Sequence, residues 1–249
     1  MTVLTAGIAL SDVTVRYGDV VALERATLAV GAGRVCGLIG TNGSGKSTLL
    51  KALLGLVRTD GGTVTVAGGS PQAARRRAVV AYVPQAEQVD VTFPLDVRGV
   101  VEQGRYGHLG PTRRLRAADR DAVEEALARV GLTDLAHRTV GALSGGQRKR
   151  AFVARALAQE AGVLLLDEPF AGVDLPSQDT ISGVLREVAD GGACVVVATH
   201  DLAGLPELAD EAALLAGGRV LVHDGPDVVL RPETLALTFG LGRGEGGPR

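Results

Sequence analysis

Residues 40–47 read Gly40-Thr41-Asn42-Gly43-Ser44-Gly45-Lys46-Ser47, which satisfies the spacing G-x-x-x-x-G-K-[ST]. Glycines at that spacing let successive backbone N–H groups turn inward around phosphate oxygens. A helix starting at Lys46 adds its positive end. Lys46 then reaches the β- and γ-phosphates of a nucleotide, the Ser47 hydroxyl ligates Mg²⁺, and Thr48 continues the nucleotide-binding stretch. Val163-Leu164-Leu165-Leu166-Asp167-Glu168 is an apolar run that ends in two acids. Asp167 would hold Mg²⁺, directly or through water, and Glu168 would polarise a water in line with the γ-phosphate. His200 closes the apolar run 194–199, where an imidazole would contact the γ-phosphate and orient Glu168 or the water. The chemistry implied is hydrolysis of a nucleoside triphosphate. Of the 26 basic residues only Lys46, Lys51 and Lys149 are lysines. A chain that otherwise uses arginine therefore keeps a compact ammonium in the phosphate loop.

A second constellation is Leu143-Ser144-Gly145-Gly146-Gln147, just before an amphipathic stretch. The plain reading is a capping box, with Ser144 and Gln147 satisfying the first N–H groups of a helix. The same geometry also makes an anion site from exposed N–H groups, a hydroxyl and the helix dipole. Two phosphate-binding helix ends in one chain are explained if two chains pair head to tail. One chain's loop would then cover the γ-phosphate held by the other.

These residues need a scaffold, and the hydrophobic pattern supplies one. β-branched runs at 13–17, 27–30 and 63–66 read as an antiparallel layer. Continuous apolar runs at 35–39, 79–83, 163–166 and 194–198 suit strands buried on both faces. Late strands are expected at 212–216 and 219–222, around Gly217-Gly218. Helices are expected from 46 to 56, at 119–130, at 144–159 and at 176–190. Between Gly99 and Arg116, Gly, Pro and Arg interrupt any regular pattern. The stretch from about 86 to 159 thus reads as a helical insertion between two parts of an α/β core, 1–85 and 160–239. The tail 240–249, rich in Gly and Arg, reads as flexible.

Composition narrows the function. A net charge of -2 and an aromatic fraction of 3% argue against a nucleic-acid partner. Cys36 and Cys194 lie in apolar runs and read as buried small hydrophobes, with no metal-ligand spacing around either. His108 and His223 fall in loop-like contexts and His137 follows a helix, so all three read as surface or packing residues. No stretch approaches the roughly 18 apolar residues of a membrane span, and no secretion signal opens the chain.

With the phosphate loop upstream and LLLDEP downstream, Leu-Ser-Gly-Gly-Gln at 143–147 resembles the nucleotide-binding subunits of ABC transporters over nearly the whole chain, 13–229. The resemblance implies the fold class: α/β, a P-loop NTPase (RecA-like) core with an antiparallel β layer and an inserted helical subdomain. It implies ATP and Mg²⁺ as cofactors and a homodimer with a second nucleotide-binding subunit, closed around two ATP. Ser144, Gly145, Gly146 and Gln147 would complete the partner's site. By the same resemblance, Tyr17 stacks on adenine and Gln85 contacts Mg²⁺ or water and senses the membrane partner. Asp174 links the two sites across the dimer. Strand packing, a polar loop residue and a helix cap are the plainer readings of these three.

Val91-Thr92-Phe93-Pro94-Leu95-Asp96-Val97-Arg98, Gly104-Arg105-Tyr106-Gly107-His108-Leu109-Gly110 and Glu168-Pro169-Phe170-Ala171-Gly172-Val173-Asp174 resemble the importers for manganese, zinc and iron. Gly99, Gln103 and Lys149 depart from that subgroup, and an importer of an iron chelate or haem would look alike. The expected partners are transmembrane permease subunits and, indirectly, an extracytoplasmic substrate-binding protein. The expected location is the cytoplasmic side of the cell membrane, peripherally bound. A soluble ABC-type ATPase is the alternative, although the coiled coils, paired cassettes or zinc modules of that class are not read here.

Overall fold

The computed structural model describes residues 7–85, 95–110 and 113–239. In chain order the first half contains β1 (Ile8–Tyr17), β2 (Val20–Val30), β3 (Val35–Ile39), α1 (Lys46–Leu53), β4 (Gly61–Val66), α2 (Pro71–Arg76), β5 (Val80–Val83), α3 (Val97–Glu102) and α4 (Ala117–Arg129). The second half contains α5 (Gly145–Ala158), β6 (Val163–Asp167), α6 (Leu175–Asp190), β7 (Cys194–Thr199), α7 (Leu205–Leu208), β8 (Glu211–Ala216), β9 (Arg219–Asp224), α8 (Pro226–Val229) and α9 (Pro232–Phe239). No described helix is long and apolar enough to cross a membrane.

Two sheets result. One is antiparallel, in the order β2-β1-β4, and the other follows β5-β6-β7-β3-β8-β9. The second is parallel except for β9, which returns beside β8 through the Gly217-Gly218 turn. Its central strands bury both faces, as continuous apolar runs must. Alternate residues serve two separate cores. Val35, Ile39, Leu164, Leu166, Val195 and Val197 share one core with residues of α3, α4, α5 and α6. Cys36, Leu38, Val163, Leu165, Cys194 and Val196 face α1 and the antiparallel sheet. Both cysteines are buried, and burial pushes the Cys194 thiol up to about 12.

Several expectations need correction. The helix from Lys46 stops at Leu53, because Gly55 turns to a φ of 63° and ends it before Leu56. The stretch beyond Gly99 is helical as far as Gly107, and among the described residues it is irregular only from there to Arg116. Asp96 accepts a hydrogen bond from the Gly99 N–H at 2.8 Å and caps α3, whose Val97, Val100 and Val101 are buried. A 3₁₀ turn, Gln103–Gly107, follows directly. His223 is on β9 rather than in a loop, with Nε2 2.8 Å from Glu211. The helix Pro71–Arg76 was not anticipated; Ser70 caps it and Pro71 occupies its first turn. Val91 to Pro94 and the tail 240–249 lie outside the described residues.

Candidate nucleotide site

The strand order β6-β7-β3 brings three carboxyl ends side by side, since Asp167 is in register with Ala198 and Ile39 with Thr199. Gly40, Glu168 and His200 each follow one of these ends. A parallel sheet gathers ligand-binding loops at this edge. The phosphate loop is tightly packed here. A Cβ on Gly40 would lie 2.3 Å from the Leu215 carbonyl oxygen, and Gly45 has a φ of 110°. The Ser44 carbonyl accepts a hydrogen bond from the Gly218 N–H at 3.0 Å, so the β8–β9 turn straps the loop from outside.

A cleft of about 410 Å³ opens over this loop. Thr41, Asn42, Gly43, Gly45, Lys46, Ser47 and Thr48 form one wall, and Gln85, Asp167 and Glu168 form another. Lys46 is buried, and its ammonium donates to the carbonyls of Gly40 at 2.6 Å and Thr41 at 3.2 Å. Burial lowers its pKa, while the charges of Glu168 and Asp167 work the other way. Asp167 is buried and its Oδ1 has no hydrogen-bond partner among the described residues; the buried hydroxyl of Ser44 has none among them either. An unpaired buried carboxylate oxygen is costly unless a cation or donor joins it. The hard oxygens of Asp167 and Ser47, with the amide of Gln85, suit Mg²⁺.

Glu168 is also buried and holds a φ of 51°, unusual for a non-glycine residue and frequent at functional sites. One carboxylate oxygen, Oε2, lies 2.7 Å from Nδ1 of His200. His200 lines a neighbouring cleft with Glu168, Phe170 and Gly172, so Glu168 is shared by both openings.

Tyr17, Ser144 to Gln147 and Asp174 stand outside this cleft, the last five being the residues expected to act across a dimer. Tyr17 is half-exposed and lies outside its walls, although it is paired with Val20, which does line them. Ser144 to Gln147 form none of the walls. Their side chains are engaged locally: Ser144 Oγ accepts from the Gln147 N–H at 3.2 Å, and Gln147 Oε1 accepts from the Ser144 N–H at 3.0 Å. Asp174 caps α6 by accepting from the Ser177 N–H at 3.3 Å. Sequence reasoning missed Val20, Val21 and Ala22 on the cleft wall, for which the only signal was their position after the Gly18-Asp19 turn. It also missed Tyr82, whose phenol is pushed up to about 12 by burial and by Asp167 beside it.

Residues 23–171 match the ABC transporter family, from β2 to just past Glu168. The chain belongs to that family. The cassette is 44% identical over 234 residues to the manganese transport system ATP-binding protein MntA of Synechocystis sp., covering 94% of this chain and 90% of that one. It is 41% identical over 231 residues to the chelated iron transport system membrane protein YfeB of Yersinia pestis, covering 92% and 77%. Among solved structures, an inward-facing transporter described as of the metal-chelate ABC type superposes with a TM-score of 0.82 at 28% identity, over 94% of this chain and 89% of that one. The α/β P-loop NTPase class expected from the sequence is therefore the class of this protein, and its ABC domain is an ATP-binding one.

Proposed function

We propose that this chain is the ATP-hydrolysing subunit of an ABC importer for manganese or a related metal ion or chelate. It works as a homodimer around two ATP, on the cytoplasmic side of the membrane beneath separate permease subunits. The observation that carries the reading is the split of the machinery. Lys46, Asp167 and Glu168 face one cleft, whereas Ser144 to Gln147 stand outside it and need a second copy to reach a nucleotide. The metal cargo is supported by the relatives named for manganese and chelated iron. Residues 1–239 are taken as one ATPase unit, with the helical insertion at about 86–159.

In the working site, ATP phosphates replace the Gly40 and Thr41 carbonyls as partners of the Lys46 ammonium. Asp167, Ser47 and Gln85 would hold Mg²⁺, which supplies positive charge against the β- and γ-phosphate oxygens. Glu168 orients the attacking water and accepts its proton as the oxygen bonds to phosphorus and ADP leaves. His200 holds the Glu168 carboxylate in place through Nδ1. Val20 and Tyr17 offer apolar surface to the adenine. A substrate-binding protein outside the membrane would deliver the cargo to the permease.

Uptake of radioactive manganese in a strain deleted for this gene tests the whole reading. The native gene restores uptake and Glu168→Gln does not. The purified variant hydrolyses ATP at least about a hundredfold more slowly and becomes dimeric with ATP. Normal uptake in the deletion strain would remove manganese as cargo. Full hydrolysis by Glu168→Gln would remove the catalytic assignment.

A further inference from the structure

Gly146 lies inside α5, and its φ is not in the positive region where glycine alone is at ease. Its residue type is dictated by space. A Cβ at this position would lie 2.2 Å from Oδ1 of Asp174, 2.7 Å from Oγ of Ser177 and 3.1 Å from Cβ of Ser177. The Asp174 carboxylate is not free to swing away, because its other oxygen caps α6 through the Ser177 N–H. Ser177 is itself buried. Next door, a Cβ on Gly145 would lie 3.5 Å from the Gly172 carbonyl oxygen. The capped starts of α5 and α6 are thus pressed together with no room for a methyl group.

Asp174 also ends the run that Glu168 begins. That run is anchored where the Glu168 N–H donates to the Ala198 carbonyl at 2.8 Å. Turns then carry it forward, with Ala171 N–H donating to the Glu168 carbonyl at 3.3 Å and Val173 N–H to the Phe170 carbonyl at 3.2 Å. The start of α5 is therefore seated on a segment whose other end is the catalytic carboxylate.

We propose that Asp174 and Ser177 are positioning residues for the Ser144–Gln147 segment of their own chain. Through Gly146 they set the height and tilt at which that segment is presented to a second copy. The inference rests on the dimer proposed above, and it gives Asp174 a role inside its own subunit in addition to the one implied across the interface. Movement of the Glu168–Asp174 run at one nucleotide would then shift the segment that closes the other.

The test uses the full chain in a Glu168→Gln background, with ATP-dependent dimerisation read by sedimentation and monomer nucleotide affinity by TNP-ATP. Gly146→Ala should weaken the ATP-bound dimer by about tenfold or more, the effect of overpacking one methyl group. TNP-ATP affinity of the monomer should change by no more than about twofold, since Gly146 is outside its cleft. Asp174→Ser with Ser177→Ala keeps an oxygen to cap α6 and withdraws both crowding oxygens, so in that background Gly146→Ala should change the ATP-bound dimer by no more than about twofold. Dimerisation of Gly146→Ala equal to its parent overturns the proposal. So does a loss on Gly146→Ala that is as large in the background of that pair as in the parent. If the Glu168→Gln parent stays monomeric with ATP, the dimer itself is overturned and this role with it.

Discussion

Lys46 illustrates how one side chain is held in place by its own loop. Its ammonium is buried within the phosphate loop and satisfied by two carbonyls of that same loop. Burial lowers its pKa, yet the two acids across the cleft oppose the loss of charge. Removing it leaves Asp167 and Glu168 facing each other's charge with no counterion from the loop. Lys46→Ala should therefore lower kcat/KM for ATP by about two to three orders of magnitude, comparable to deleting a preorganised charge-stabilising donor. Steady-state phosphate release measures it, and hydrolysis at the native rate would contradict the assignment. The spacing of Lys46, Asp167 and Glu168 was legible because phosphate and metal chemistry restricts residue type. Val20 and Tyr82 were not legible, since an ordinary strand residue reaches a cleft only through packing.

At the scale of elements, Arg105 is buried where the turn after α3 meets the end of α5. It donates to Asp119 at 3.0 Å, to the Ala158 carbonyl at 2.7 Å and to Glu160 at 2.5 Å. A Cβ on Gly104 would lie 2.2 Å from the Arg155 carbonyl oxygen, so this turn is fitted closely onto α5. A cation at a helix C-terminus is also favoured by the helix dipole. Arg105→Met should lower stability, because among the described residues it leaves the Asp119 carboxylate with the Arg116 N–H alone as its partner. The double variant Arg105→Met with Asp119→Leu should recover part of it. Urea denaturation checks both, and an unchanged midpoint in the single variant would refute the account. Sequence reading placed α4 and α5 well from their 3.6-residue apolar period but lost α3. That helix is too short to establish a period, and its Arg98 and Gly99 mask three buried valines.

At the scale of the molecule, Asp210 ties distant parts together. It accepts from the Val35 N–H at 2.8 Å and from Arg186 at 2.8 Å, joining the start of β3 to α6. Burial would raise its pKa, but the Val35 N–H and the Arg186 charge outweigh burial and hold it below the usual aspartate value. A lowered folded-state pKa gives stability that is present above the unfolded value and lost as pH falls through the folded one. Asp210→Asn should thus lower the Tm at neutral pH, by an amount corresponding to about 1–3 kcal/mol. The gap to the native chain should begin to narrow below about pH 4 and close only as pH falls through the lowered folded-state value. Thermal melts at both pH values check this, and a gap that persisted in acid would refute it.

By itself the sequence determined the strand-forming runs, the phosphate loop, the acid pair and the capped start of α5. Each follows from local chemistry: period, turn residues and the few side chains able to bind phosphate or metal. Strand order was decided only in three dimensions. β7 lies between β6 and β3, which brings Asp167, His200 and the loop to one edge although they are far apart in the chain. The seat of Gly146 on Asp174 and Ser177 was likewise decided by packing. Close approach between two helix starts depends on how the layers stack, and no local pattern encodes that distance.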